Sequence, residues 1–388
     1  MTVHIRNYSQ TDKLQNLHYD LTGTFAIFAR FFNLSQMYKH ILRPILFRFN
    51  PETAHNMTMS ALTMMDRIPF ASAIVRMLYK KKTPTLAREV FGINFPNPVG
   101  LAGGLDKNGE HYNDLANFGF GFVEIGSLTP KPQDGNPKPR LFRLPADKAI
   151  INRMGINNKG VKHAVEQLKK VKPEVIVAAN ISKNATSINE DAAKDYETSF
   201  ALMYDFVDMF VVNVSCPNVV GLTNLQDITF LSEIVDRLLD LRMYYDQYRP
   251  ILLKVSPDLS RQQLDEIIDY CMRSGIDGIV AGNTTRSRDG LTNTDPQKIE
   301  SIGNGGLSGA PIFQKNLELV RYISDKSGGK LPVIGVGGIM SPEQAKQMLD
   351  AGASLVEIYS GFIYEGPSLV KKINKYLENT ARSGSEIK

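Results

Sequence analysis

The sequence predicts an α/β protein: a (β/α)8 TIM barrel with a small N-terminal helical, membrane-associating extension. Three observations predict it. After Pro84, eight short apolar runs alternate with amphipathic helical patterns. Polar residues and glycines gather where those runs end, which is where a barrel of this kind carries its active site. The excess positive charge is confined to a separate stretch in front of them.

Residues 1–36 show little pattern before an apolar patch at 24–32, which Arg30 interrupts. The patch is far shorter than the ~20 apolar residues of a spanning helix. Asp12 and Asp20 precede it and no small-residue cleavage site follows, unlike a signal peptide. Two readings stand for this stretch, a flexible tail or a leader upstream of a true start at Met37. Residues 37–82 hold eight Lys and Arg against Glu52 and Asp66, and their pattern predicts two short amphipathic helices. Asn50 caps the second, with Pro51 at its first position and Glu52 near its positive end. Ile41, Leu42, Ile45, Leu46 and Phe49 supply one apolar face; Ala54, Met57, Ala61, Leu62, Met64 and Met65 supply another. Such a hairpin either packs on the main domain or lies on a membrane surface. Lys39, Arg43, Arg48, Arg67 and Arg76 around a Met- and Phe-rich face suit the latter. Lys80–Pro84 reads as a linker, and the barrel domain is expected over 83–388.

With 388 residues, 43% hydrophobic and 22% charged, the chain has material for one large core. Cys216 and Cys271 are its only cysteines, too few for a disulfide framework or a CxxC metal site, and a reducing, cytosolic setting follows. Six His without an HExxH pattern argue against a metal centre. The net charge is +5, yet the chain after Lys82 is net negative, so no nucleic-acid surface is expected on the barrel.

Strands are expected at 98–103, 119–127, 174–182, 209–216, 251–256, 278–284, 332–339 and 355–362. Helices are expected at 159–171, 225–245, 260–274, 313–324, 341–350 and 366–380, with Ser260 and Ser341 as caps and Pro342 at a first position. A doubly wound open sheet is the alternative, but no GxGxxG turn follows the first strand.

The strand ends carry the candidate chemistry. The first ends in AGGLDK, which places Gly103, Gly104 and Lys107 together. Ser127 ends the second, Asn180 the third, Asn283 and Thr284 the sixth, Gly337 and Gly338 the seventh, Tyr359 and Ser360 the eighth. The fourth runs into NVSCPNVVGL, where Pro217 forces the chain out of the sheet and Cys216 sits between Asn213 and Asn218 with Ser215 beside it. A thiol among carboxamides is a proton acceptor next to groups that bind a polar planar ligand. Taken alone, Cys216 reads better as a buried structural cysteine in a polar turn, and only its context favours chemistry. The glycine loops after strands seven and eight suit a phosphate, and Lys254 on an apolar strand needs an anionic partner if buried. Phosphate plus a buried cation fits FMN; a Schiff-base aldolase with Lys254 as nucleophile competes.

The ordered motifs VGLAGGLDKNGE, FGFVEIGSLTPKPQDGNPKPRLFRL, INRMGINNKG, NVSCPNVVGL, LLKVSPDLS, GNTT, GGLSG, LPVIGVGGI and LVEIYSGF resemble the dihydroorotate dehydrogenases, from Met37 almost to the C-terminus. The segment RPILFRFNPETAH resembles the membrane-associated, quinone-reducing class 2 members. The resemblance implies FMN-dependent oxidation of (S)-dihydroorotate to orotate with quinone as acceptor, in de novo pyrimidine (UMP) biosynthesis. It implies a peripheral protein, with monomers as the simplest assembly, on the cytoplasmic side of the cell membrane. The FMN set carried over is Gly103, Gly104, Lys107, Ser127, Asn180, Asn213, Lys254, Gly282, Gly309, Gly338, Tyr359 and Ser360. Dihydroorotate would meet Lys107, Asn152, Arg153, Met154, Gly155, Ile156, Asn213, Asn218, Asn283 and Thr284. Cys216 would take the C5 proton as hydride leaves C6 for the flavin. His55 and Arg143 match positions near the quinone entrance.

The sequence departs from the class 2 pattern at three places. Cys216 stands where those enzymes usually carry Ser and the soluble class 1 enzymes carry Cys; Val219 replaces a usual Thr, and Ile156 a usual Phe. A thiol ionises far more readily than a hydroxyl and needs less help from a relay, which would make the missing Thr tolerable. A soluble, class 1-like enzyme using fumarate or NAD is the alternative. A binding protein on a catalytically dead barrel is disfavoured by the intact polar set.

Overall fold

The computed structural model describes residues 34–215 and 226–385. In chain order its strands are β1 (Arg88–Val90), β2 (Ile93–Phe95), β3 (Val99–Asp106), β4 (Phe122–Leu128), β5 (Leu141–Leu144), β6 (Ala149–Asn152), β7 (Ile176–Ile181), β8 (Met209–Asn213), β9 (Ile251–Val255), β10 (Gly278–Ala281), β11 (Gly306–Gly309), β12 (Val333–Val336) and β13 (Ala353–Ile358). The ring β3-β4-β7-β8-β9-β10-β12-β13 is parallel throughout and closes where Ile358 pairs with Leu101. These are the eight strands expected. Their Val, Ile and Leu runs are continuous because each is covered on both faces, by the barrel interior and by the outer helices.

Alternate residues of each strand point inward, and the lower interior layer is apolar: Phe122, Ala178, Leu252 and Leu355 meet there with Val280 and Ile334. The β1–β2 hairpin closes the N-terminal end of the barrel. Phe95 packs edge-on against Phe122 with centroids 5.3 Å apart. A Cβ on Gly100 would fall 2.2 Å from the Phe122 ring, so this approach requires glycine.

The expected outer helices are present, the second as Ile228–Arg242 and the last as Ser368–Ser385. Ser260 and Gln263 form a reciprocal cap on the helix Arg261–Ser274. A further helix, Ala192–Met203, is not among those expected and buries Ala192, Ala193, Tyr196, Ser199, Phe200 and Met203. Its face is helical in period, but Ala, Ser and Tyr dilute the apolar signal. Also unexpected are the hairpin and a three-stranded antiparallel sheet, β11-β6-β5, laid over the C-terminal mouth of the barrel.

Among the described residues the front holds three helical stretches rather than two: 34–47, which contains a π turn at Tyr38–Leu42, then Pro51–Asp66 and Ala71–Tyr79. The break at Ile68–Phe70 splits what the periodicity ran together. Asn50 Oδ1 accepts from Glu52 N at 3.0 Å, as expected of the cap. Polar contacts tie the front to the barrel: Tyr38 OH donates to Ile363 O at 2.6 Å, Arg43 to Tyr364 O at 2.8 Å, and Lys39 pairs with Glu365. Arg140 grips Glu52 through two nitrogens, at 2.7 and 3.2 Å. Ala54 and Met59 turn inward, whereas Ile41, Leu42, Ile45, Phe49, Met57, Met64, Ile68 and Phe70 are exposed, Phe70 by 82%. No helix among the described residues is long and apolar enough to cross a membrane.

Candidate active site

One step above the apolar layer the inward positions become polar. Counting two residues on from Phe122, Ala178, Leu252 and Leu355 reaches Glu124, Asn180, Lys254 and Glu357, all 5% exposed or less. Glu124 Oε1 accepts from Lys254 Nζ at 2.7 Å and from Asn180 Nδ2 at 2.5 Å. Asn180 Oδ1 is buried without a partner among the described residues. Gly103 is glycine for a reason at this layer, since a Cβ there would sit 2.2 Å from Glu124 Oε1.

Above this layer a pocket opens at the C-terminal mouth. All twelve residues of the expected cofactor set line it, as do Lys107, Asn152, Met154, Gly155, Ile156, Asn213, Asn283 and Thr284 of the expected substrate set. Asn213, the last residue of β8, is fixed from every side. Its carbonyl accepts from Tyr196 OH at 2.8 Å and Ser182 Oγ at 3.1 Å, its Nδ2 donates to Ser127 Oγ at 2.8 Å, and its Oδ1 accepts from Ser215. Asn283 Nδ2 reaches Ser215 Oγ at 2.9 Å, so the ends of β4, β8 and β10 share one network. Ser215, noted in the sequence only as a neighbour of Cys216, is fully buried at its centre. On the far wall Gly338, at φ +75°, lies against the first residue of the helix Phe313–Lys326, where a Cβ would be 2.6 Å from Phe313 N. Gly309, at φ +108°, and Ser360, whose Oγ donates to Ser308 Oγ at 3.1 Å, complete that wall. Glycine turns against a helix N-terminus are a seat for phosphate oxygens.

The mouth loop bears strain. Ile156 has φ +54°, a conformation costly for a β-branched residue. Its carbonyl is held by Asn158 Nδ2 at 2.8 Å and Gln133 Nε2 at 3.0 Å. Arg153 departs from expectation: its guanidinium donates to Ile302 O and Asn304 O and lies over the Phe142 ring at 4.6 Å, and it is absent from the pocket wall. The carbonyls at the end of the helix Pro296–Ile302 are the nearer acceptors, so Arg153 holds the β6–β11 sheet in place. Cys216 and Asn218 lie outside the described residues, as does Val219.

Burial depresses the Lys107 ammonium to a pKa of about 8, with Glu52 and Asp106 opposing and Arg140 assisting. Its Nζ donates to Gly104 O at 2.8 Å. Burial pushes the Tyr359 phenol up to about 12, so it remains a donor. His55 lines a second, polar cleft beneath the helix Pro51–Asp66 that shares Lys107, Met154 and Asn157 with the pocket. Burial, aided by Lys107 and His111, lowers its pKa to about 3, so it is neutral. Arg143 docks the front of the chain, donating to Leu46 O at 3.2 Å and to Phe49 O, with its guanidinium 4.4 Å from the Phe47 centroid.

A family model described as Dihydroorotate dehydrogenase matches residues 85–380. The chain belongs to the dihydroorotate dehydrogenase family. It is 47% identical over 339 residues to a dihydroorotate dehydrogenase (quinone) of Christiangramia forsetii, covering 87% of this chain and 98% of that one. It is 46% identical over 338 residues to a protein of the same name from Cellvibrio japonicus, with 86% and 96% covered. The crystal structure of DHODH from Eimeria tenella, in complex with ferulenol, superimposes with a TM-score of 0.78 at 32% identity, over 86% of this chain and 92% of that one. Family membership and fold thus agree on a barrel enzyme with its pocket at the mouth.

Proposed function

We propose that this chain is a quinone-dependent, class 2 dihydroorotate dehydrogenase that oxidises (S)-dihydroorotate to orotate in pyrimidine biosynthesis, with FMN in the barrel-mouth pocket. The observation that carries the reading is the meeting of Lys107, Lys254, Asn180, Asn213 and Asn283 with the glycine turns of β3, β11 and β12 around one pocket. FMN fits these residues: the Gly309–Gly338 wall suits its phosphate, and the orphaned Asn180 Oδ1 needs a donor that a ring N–H supplies. When bound, that cofactor supplies two-electron acceptance from substrate carbon and release to a quinone.

The chain's own groups bind and orient. Lys107 attracts the substrate carboxylate, while Asn152, Asn213, Asn283 and Thr284 match the donors and acceptors of its ring edges. The Ser127–Asn213–Ser215–Asn283 network fixes those amides before substrate arrives, so little ordering is left for the binding step. Cys216, one residue beyond Ser215, is the proposed base for the C5 proton, and Asn218 the further amide on its loop. The neutral His55 in the cleft under the front helices and the docked Arg143 mark the quinone route. We assign the exposed apolar faces of the front helices to the cytoplasmic surface of the cell membrane, where quinone dissolves. Fumarate or NAD, the acceptors that Cys216 brings into question, are not favoured, since the relatives above are quinone enzymes.

Anaerobic stopped-flow absorbance tests the reading. Dihydroorotate is expected to bleach the flavin, and a short-chain quinone to restore it while fumarate and NAD do not. Recovery with fumarate or NAD alone would reverse the class; no bleaching would remove the activity.

A further inference from the structure

The polar layer under the pocket does not balance as a set of ordinary charges. Glu124, Lys254 and Glu357 would together carry two negative charges and one positive, with side chains of Glu124 and Lys254 only 0% and 7% exposed and Glu357 fully buried. Lys254 and Asn180 both donate to Glu124 Oε1. Glu124 Oε2 and both oxygens of Glu357 meet no N–H or O–H donor among the described residues. The two carboxyls lie side by side, and burial, then the charge of Glu124, hold Glu357 well above the ordinary carboxylate range against the opposing pull of Lys254. The strand neighbours of Glu357, Gly100 on β3 and Val336 on β12, carry no charge.

A single proton removes the excess charge and pairs two of these three oxygens. Shared between the carboxyls, it supplies the donor that Glu124 Oε2 lacks and removes the second negative charge. It belongs on Glu357, because Glu124 already receives a cation and an amide N–H on its other oxygen and is the one stabilised as an anion. Resting on the flavin reading above, we propose that Glu357 is a permanently protonated carboxylic acid that donates to Glu124 and serves as a positioning residue for the cofactor pocket. Glu357 locks Glu124, Glu124 locks Lys254, and the charge that Lys254 presents to the pocket is set by one carboxylate instead of two.

The test uses the purified full-length protein with its flavin and two substitutions. Glu357→Gln supplies a neutral amide donor in the same shape; Glu357→Leu supplies none. The flavin midpoint potential and its pH dependence are expected to stay at the parent values in Glu357→Gln and to shift in Glu357→Leu. The infrared difference between parent and Glu357→Gln is expected to show the carbonyl band of a protonated acid, unchanged from mildly acidic to mildly alkaline pH. A rise in potential in Glu357→Gln would mean that the parent residue is ionised, and would overturn the proposal. So would an absent acid band, or a Glu357→Leu protein whose potential stays in place. If Glu357→Leu fails to fold, Glu357→Gln and the infrared band still decide. A colourless protein would refute the flavin reading, and the infrared comparison would still report whether Glu357 carries its proton.

Discussion

Lys107 joins the chemistry of the mouth to its pH dependence. In the substrate-free protein its ammonium is lost above a pKa of about 8, so the KM for dihydroorotate is expected to rise as pH passes that value while kcat changes little. Lys107→Met should raise KM on the order of 10- to 100-fold, the loss of one charge-assisted hydrogen bond, in steady-state assays at neutral pH. The stability sign is the reverse of a paired lysine. Because the folded pKa lies below the ordinary lysine value of 10.5, the unfolded chain binds the extra proton, and this group adds stability as pH climbs from about 8 towards 10.5. The cysteines divide in the same way. Burial pushes the Cys271 thiol up to about 12, so alkylation near neutral pH should spare it and modify Cys216, more slowly with orotate present. Cys216→Ala should slow flavin reduction by dihydroorotate by about 10²- to 10⁴-fold in stopped flow; a parent-like rate removes Cys216 as the base. Most pocket residues were legible as polar residues ending apolar runs. Glu124 and Glu357 carried the same signal as Lys254, a charge inside an apolar strand, in FVEIG and LVEIY. Arg153 lies off the pocket wall, and its motif position says nothing about which carbonyl a long side chain reaches first.

At the scale of elements, the front helices show a division of labour. Their contacts with the barrel combine ion pairs and carbonyl bonds with a narrow apolar seam through Phe47, Met59, Leu62, Val75 and Tyr79, while Ile41, Leu42, Ile45, Met64, Ile68 and Phe70 face out, more apolar surface than packing alone requires. Phe70 caps the Ala71–Tyr79 helix at φ +68° and is almost wholly exposed, a conformation with no packing return inside the protein. Replacing Ile68 and Phe70 with Ser should therefore release the protein from anionic liposomes in a flotation assay without lowering its melting temperature; equal flotation would refute the membrane assignment. Glu52 is held below the usual carboxylate range by its hydrogen bonds to Arg140, against burial, so the clamp is intact above the ordinary carboxylate pKa and fails as pH falls through the lowered value. The cap at Asn50 and Pro51 was legible because a cap is a local rule. The β5–β6–β11 sheet was not: its strands are four residues each, and GLSG offers neither β-branched side chains nor alternation.

For the molecule as a whole, the barrel was legible because its strands are covered on both faces and leave unbroken apolar runs, eight times over. The closure of its lower end was not, since β1 and β2 are three residues long and Phe95 takes its meaning from Phe122. That closure is expected to carry much of the global stability. Phe95→Ala should lower the unfolding free energy by about 3–5 kcal/mol in a urea titration, as the loss of a fully buried ring does. The same ring geometry sets an order of events. β13 must arrive before β3 has its second neighbour, and Tyr38, Lys39 and Arg43 find their partners at Ile363, Glu365 and Tyr364. On the ribosome, Tyr38, Lys39 and Arg43 therefore wait through the synthesis of more than three hundred residues before these partners exist, although Arg140 and Arg143 are made much sooner. The seat of the first helix is thus built from the last part of the chain to be made, and a protein truncated before Ile363 would leave that helix without it.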